Sequence, residues 1–260
     1  MKIKDIISAI EEFAPLGLQE DYDNAGLLTG SAETEVAGAV VCVDVTEAVV
    51  DEAVCLGAGL VVAHHPIIFH PLKALTGRTN VEKVVMKAIR ENVAIYAAHT
   101  NLDRARYGMS WALAGQLGLR NVEVLDHEGD DGVGFGAVGD LAAETGTMEF
   151  LREVGRRLGT RCVRHSAPPR ETVRRVALIT GSGGDGLEKA IDTGADVFLT
   201  ADLRHDRFLA AEGRILLADV GHFESEFCAI DLICDVISKK IPNFALRKSA
   251  NGINPVNYLA

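Results

Sequence analysis

Short apolar runs rich in β-branched residues alternate along the chain with stretches whose apolar positions recur every three to four residues. The runs are 38–45 (GAVVCVDV), 59–65, 93–99, 174–180, 195–200 and 214–220. Runs of this length and composition predict buried strands. Helical spacing between them predicts helices over 46–57, 80–91, 109–117, 147–158, 184–193, 204–212 and 224–239. At the N-terminus, Ile3, Ile6, Ile7, Ile10 and Phe13 mark an amphipathic helix ending near Pro15. This alternation is the signature of an α/β protein with largely parallel sheets.

The pattern occurs twice. Strand 38–45 leads through a helix to GAGLVVAHH and then to VAIYAAHTNLD; strand 174–180 leads through a helix to GADVFLTADLRH and then to RILLADVGHFESE. The expected architecture is therefore two similar α/β halves, about 1–125 and 126–260, within one domain. The polar, glycine-rich stretch 126–140 is the internal boundary. In open α/β sheets ligands bind at the carboxyl ends of strands, so a shared site is expected there, between the halves.

Composition narrows the function. The 260 residues carry 26 Lys plus Arg and 37 Asp plus Glu, a formal net charge of −11. Such a surface repels phosphate backbones and argues against direct nucleic-acid binding, leaving room only for a local basic patch. No run approaches the roughly 18 apolar residues of a membrane span, and the charged N-terminal stretch does not read as a signal peptide. Five cysteines, without CxxC spacing and all in apolar stretches, predict buried, reduced thiols and a cytoplasmic setting.

The chemistry gathers at strand ends. His64-His65-Pro66 closes one strand, and proline keeps the residue before it extended, so both imidazoles stay at the tip. His99-Thr-Asn-Leu-Asp103 follows another, with Asp103 a hard oxygen donor and Thr100 and Asn101 able to orient it. Gly-His222-Phe-Glu-Ser-Glu226 precedes a strong helix, and the spacing of four puts His222 and Glu226 on one helical face. Each motif also has a structural reading: a core histidine, an Asx turn, or acidic residues at a helix start. Together His64, His65, Asp103, His222 and Glu226 exceed the three protein ligands of a mononuclear catalytic zinc site. Three imidazoles and two carboxylates suit two divalent ions of Zn, Mn, Fe, Co or Ni. His99 and His205 are the candidate proton shuttles. Gly181-Ser-Gly-Gly-Asp-Gly186 is either a phosphate cradle or a strand-to-helix turn.

Tyr22-Asp-Asn-Ala-Gly26, Asp44-Val-Thr46, His64-His-Pro66, His99-Thr-Asn-Leu-Asp103, Gly221-His-Phe-Glu-Ser-Glu226 and Asn254-Pro-Val-Asn-Tyr258 stand in one order along the chain. In that order they resemble the Nif-three-like family, the type 2 homologs of GTP cyclohydrolase I. The resemblance implies a dinuclear metal site on His64, His65, Asp103, His222 and Glu226, two similar α/β halves, and a homohexamer built as a trimer of dimers. The chain has little room for the extra inserted domain of some relatives. It departs from the family at Tyr22, where Trp is usual, at Gly108-Met-Ser110, and at Thr200-Ala-Asp202.

The leading expectation is a dinuclear metal-dependent hydrolase acting on a small molecule, either a nucleotide or another phosphorylated or cyclic-amide substrate. The competing expectation is a non-catalytic metal-binding oligomer serving as scaffold, chaperone or regulatory adaptor.

Overall fold

The computed structural model describes residues 1–127, 129 and 132–259, which form two compact units. The first unit is Met1–Ala105 with Ala229–Ile253, and the second is Arg106–Cys228 with Asn254–Ala260. In chain order the first begins with α1 (Ile3–Phe13), β1 (Gly26–Thr29), β2 (Gly38–Cys42), α2 (Glu47–Cys55), β3 (Leu60–Ala63), α3 (Asn80–Arg90), β4 (Ala94–Ala97) and α4 (Thr100–Arg104). The second holds α5 (Met109–Leu117), β5 (Arg120–His127), β6 (Gly134–Gly146), α6 (Thr147–Leu158), β7 (Arg164–His165), β8 (Thr172–Leu178), α7 (Leu187–Asp192), β9 (Val197–Thr200), α8 (His205–Ala210), β10 (Leu216–Asp219) and α9 (His222–Glu226). Helix α10 (Cys228–Lys240) and strand β11 (Ala245–Lys248) then return the chain to the first unit.

In the first unit the strand order is β1-β4-β3-β2-β11. All neighbours run parallel except β1, which pairs antiparallel with β4 at the edge. Strands β2, β3 and β4 are buried along their whole length, which is why they read as continuous apolar runs. Val40, Val61 and Ile95 pack against Val49 and Val50 of α2 and Val84 and Ala88 of α3. Helices α2 and α3 start where Thr46 and Thr79 accept hydrogen bonds from the third N–H of each helix.

In the second unit the order is β5-β6-β8-β9-β10-β7. Only β8, β9 and β10 form a parallel core; β5, β6 and β7 join it antiparallel. Phe198, fully buried on β9, packs among Leu187, Leu203 and Leu217, and its truncation to Ala would cost about 3–5 kcal/mol. The stretch 126–140, expected as a boundary, instead closes β5 and opens β6 within this one sheet, with His127 opposite Gly134. Its glycines reflect close strands: a Cβ on Gly134, at φ +148°, would lie 2.0 Å from the Asp126 carbonyl oxygen. Glu128, Asp130 and Asp131 of that stretch lie outside the described residues.

The cysteine expectation needs correcting. Cys42 and Cys228 are buried, but Cys55 and Cys162 are exposed and Cys234 is half-buried. Cys55 ends α2 on its outward side, so apolar neighbours in sequence did not mean burial. Among the described residues, no helix is long and apolar enough to cross a membrane.

Candidate metal centre

In the first unit the donor groups sit where strands β3 and β4 end. The sheet ladder continues one step past the strands: His64 N–H donates to Cys42 O at 3.1 Å and His65 N–H to Val43 O at 2.9 Å. This pins both backbones before Pro66. The chain already bends at His64 and His65, so the strict alternation of a strand no longer separates them, and their ring centroids lie 5.0 Å apart. His99, from the end of β4, stands 5.3 Å from His64 and 5.6 Å from His65. One ring nitrogen of each of these three histidines falls within 4.8 Å of the other two, a spacing that could hold a metal ion.

An acceptor fixes each ring. His64 Nδ1 lies 2.8 Å from Ala98 O, and His65 Nδ1 lies 2.8 Å from Asp44 Oδ1. His99 Nδ1 lies 2.7 Å from Asp23 Oδ1. With Nδ1 donating to its acceptor, Nε2 is the nitrogen each ring presents to a cation. Asp23 is buried, and burial works against its charge. Hydrogen bonds from His99 and Thr100 outweigh that penalty and hold its carboxyl at about 2.

Asn101 shapes the turn that follows. Its Oδ1 accepts from His99 N–H at 2.9 Å and its Nδ2 donates to Ala14 O at 2.7 Å. Thr100 donates its hydroxyl to Asp23 and accepts from Glu20 N–H at 3.0 Å. This begins α4, which carries Asp103 four residues beyond His99. Tyr22 and Phe69 form an aromatic wall, with Phe69 edge-on to His99 at 6.0 Å. Burial and the charges of Glu20, Asp23 and Asp103 raise the Tyr22 phenol, so it stays protonated.

In the second unit His222 and Glu226 bracket the short helix α9. His222 Nε2 is 2.9 Å from Glu226 Oε2, the spacing of four seen in the sequence. His222 Nδ1 is 2.7 Å from Asp202 Oδ2. Burial alone would lower the His222 pKa, but its bonds and proximity to Glu226 and Asp202 raise it to about 9. Asp202 holds φ +54°, a left-handed conformation that aspartate tolerates better than most residues.

Gly181 lets this arrangement form. At φ +62°, a Cβ there would lie 2.1 Å from Glu226 Oε1 and 3.4 Å from His222 Cε1. Its N–H donates to Ser225 Oγ at 3.0 Å. Gly183 N–H donates to Thr200 Oγ1 and Gly186 N–H to Gly183 O. These three amides of the 181–186 loop are thus spent inside the protein, and the loop forms a wall beside Glu226.

A model of the family Duf34/NIF3 (NGG1p interacting factor 3) matches residues 1–254. The chain belongs to this family. The Clostridium perfringens protein named GTP cyclohydrolase 1 type 2 homolog is 30% identical over 244 residues, covering 93% of each chain. The Lactococcus lactis protein of the same name is 33% identical over 263 residues, covering 98% of each. The crystal structure of the Bacillus cereus protein related to NIF3 has a TM-score of 0.93 at 25% identity, over 100% of this chain and 99% of that one.

In this Duf34/NIF3 chain the structure groups His64 and His65 with His99, and His222 with Glu226. Asp103 stands on α4 in the first unit. His205 is exposed as the first residue of α8 and makes no hydrogen bond or ion pair with Asp202, His222 or Glu226 among the described residues. Sequence reasoning missed Asp23 and Asp44 as partners of the histidines. They lie 76 and 21 residues from the rings they hold, so no local spacing marks the pairs.

Proposed function

We propose that this protein is a dinuclear metal-dependent hydrolase, with His64, His65, Asp103, His222 and Glu226 as ligands of two divalent cations. The observation that carries the proposal is the common treatment of the histidines: every one of these three ligand imidazoles, and His99 beside them, has Nδ1 tied to an oxygen at 2.7–2.8 Å. Metal-ligating histidines are typically oriented in this way, through the nitrogen that does not bind the ion. The donor set is imidazole and carboxylate with no thiolate, which fits Zn, Mn, Fe, Co or Ni.

When bound, such a pair of cations supplies Lewis acidity and an activated water near neutral pH. The protein's own part is to orient and to move protons. Asp23 fixes the His99 ring through Nδ1, which leaves Nε2 as the nitrogen that would move a proton between water and a leaving group. His205 is the second candidate for that role, reached through solvent. The names of the relatives point to a nucleotide, so the proposed substrate is a nucleotide or another phosphorylated or cyclic-amide small molecule. The proposed assembly is a homohexamer, a trimer of dimers with a mass about six times the 27.8 kDa of the chain.

The test is elemental mass spectrometry of tag-free protein, followed by a hydrolysis screen with the metal found. About two metals per chain and turnover that disappears in Asp103→Ala and Glu226→Ala support the proposal. Metal without turnover of any nucleotide or cyclic amide in the screen would turn the reading toward a scaffold.

A further inference from the structure

The segment 152–175 carries eight arginines against two glutamates, and neither lysine nor aspartate. That is a concentrated positive charge on a chain whose formal net charge is −11. Several of these arginines have structural partners: Arg157 bonds Glu153 and Gln116 O, Arg170 bonds Asp196, and Arg175 bonds Asp140. Arg152 and Arg161 hydrogen-bond to no other residue among those described. Both border a cleft of about 520 Å³ on the second unit.

The floor of the cleft is the outer face of α6, through Met148, Leu151 and Gly155, and its far wall is the strand-like segment from Thr160 to His165. Its polar lining consists of Arg152, Arg156, Arg161, His165 and Thr160, and no carboxylate lines it. Glu153, the nearest acidic residue in sequence, is turned to Arg156 and Arg157. His165 donates from Nδ1 to Ser166 O at 2.8 Å, which leaves Nε2 on the other edge of the ring. Helix α6 stops at Gly159 in the left-handed conformation, and this sharp exit brings Arg161 back beside the helix.

Arg156 on this cleft is paired with Glu153, whereas Arg152 and Arg161 border it with no carboxylate beside them, so the lining carries a net positive charge that an anion complements. Guanidinium binds phosphate through paired N–H donors, whereas a merely soluble surface is served as well by lysine. Gly159 and Arg161 also border a second cavity of about 390 Å³, lined by Phe223, Phe227 and Tyr258. Phe223 belongs to α9, the helix that carries His222 and Glu226.

We infer that the cleft formed by Arg152, Arg156, Arg161 and His165 is a binding site for the phosphate groups of a small polyphosphorylated ligand. The site is separate from the proposed metal ligands and stands whether or not those residues hold metal.

The experiment is calorimetric titration of the metal-loaded protein with inorganic triphosphate in excess magnesium, which prevents stripping of bound metal. The variants are Arg152→Ala/Arg161→Ala, the same pair changed to Lys, and Arg174→Ala as an arginine outside the cleft. Alanine at position 152 favours the helix, so loss of the fold is not expected, and light scattering checks it. Saturable binding that weakens at least tenfold in the double Ala variant, recovers in part in the Lys variant and changes less than twofold in Arg174→Ala supports the site. No saturable heat with the wild type overturns it. So does binding that is lost in Glu226→Ala but unchanged in the double Ala variant, since the anion would then sit at the metal ligands.

Discussion

Oδ1 of Asp23 lies 2.7 Å from Nδ1 of His99, and the other oxygen of the same carboxylate accepts the backbone N–H of Thr100 at 3.0 Å. One buried side chain therefore sets both the ring and the start of the helix that carries Asp103. Asp23→Ala should lower metal affinity about 10- to 100-fold, the usual cost of removing a group that orients a ligand. Competition with a chelating dye measures this. Affinity equal to wild type would show that His99 and Asp103 are placed by other contacts.

The same carboxylate makes a pH prediction. Its folded value of about 2 lies below the ordinary 3.8, so it favours the folded state when ionised. That contribution, about 2 kcal/mol, is complete above the ordinary value and is lost as pH falls through the folded one. Urea unfolding of the wild type should therefore weaken more steeply than that of Asp23→Asn between about pH 4 and 2. Parallel pH profiles of the two proteins would contradict this.

His222 has the opposite sign. Its value is raised from 6.5 to about 9 in the metal-free protein, so the proton it holds stabilises the fold. The contribution is fully present below 6.5 and is lost as pH rises through 9. Chelator-treated protein should lose melting temperature across that window, and Glu226→Gln should flatten the loss. A wild-type profile that is level from 6.5 to 9 would contradict the pairing.

Gly181 tests the geometry without touching a donor. Gly181→Ala puts a methyl group where Glu226 Oε1 now lies and forces a side chain into left-handed backbone, which costs about 1–2 kcal/mol. Metal content per chain should fall although every proposed ligand is present. Full occupancy in this variant would mean that Glu226 is free to move without consequence.

Much of this organisation was legible in the sequence. The strands of the two parallel cores announced themselves because full burial on both faces gives continuous apolar runs, as in β2, β3, β9 and β10. The antiparallel strands β5 and β6 did not, because their faces are partly exposed and their glycines read as loop. The histidine motifs were visible because each lies directly after a strand, and Glu226 because it stands in helical register with His222. The orienting carboxylates of Asp23 and Asp44 were invisible because they reach their rings only through the fold. The bend at His64 and His65 likewise overrode the alternation that would have turned the two rings apart.

The central claim is that five side chains hold two divalent cations. Metal content per chain, measured by elemental mass spectrometry on tag-free wild type and on Asp103→Ala and Glu226→Ala, tests it most directly. The account predicts about two ions in the wild type and a clear loss in each variant, with the oligomer intact by light scattering. Near-zero metal in the wild type after incubation with Zn, Mn, Fe, Co or Ni, or full occupancy in both variants, would contradict it.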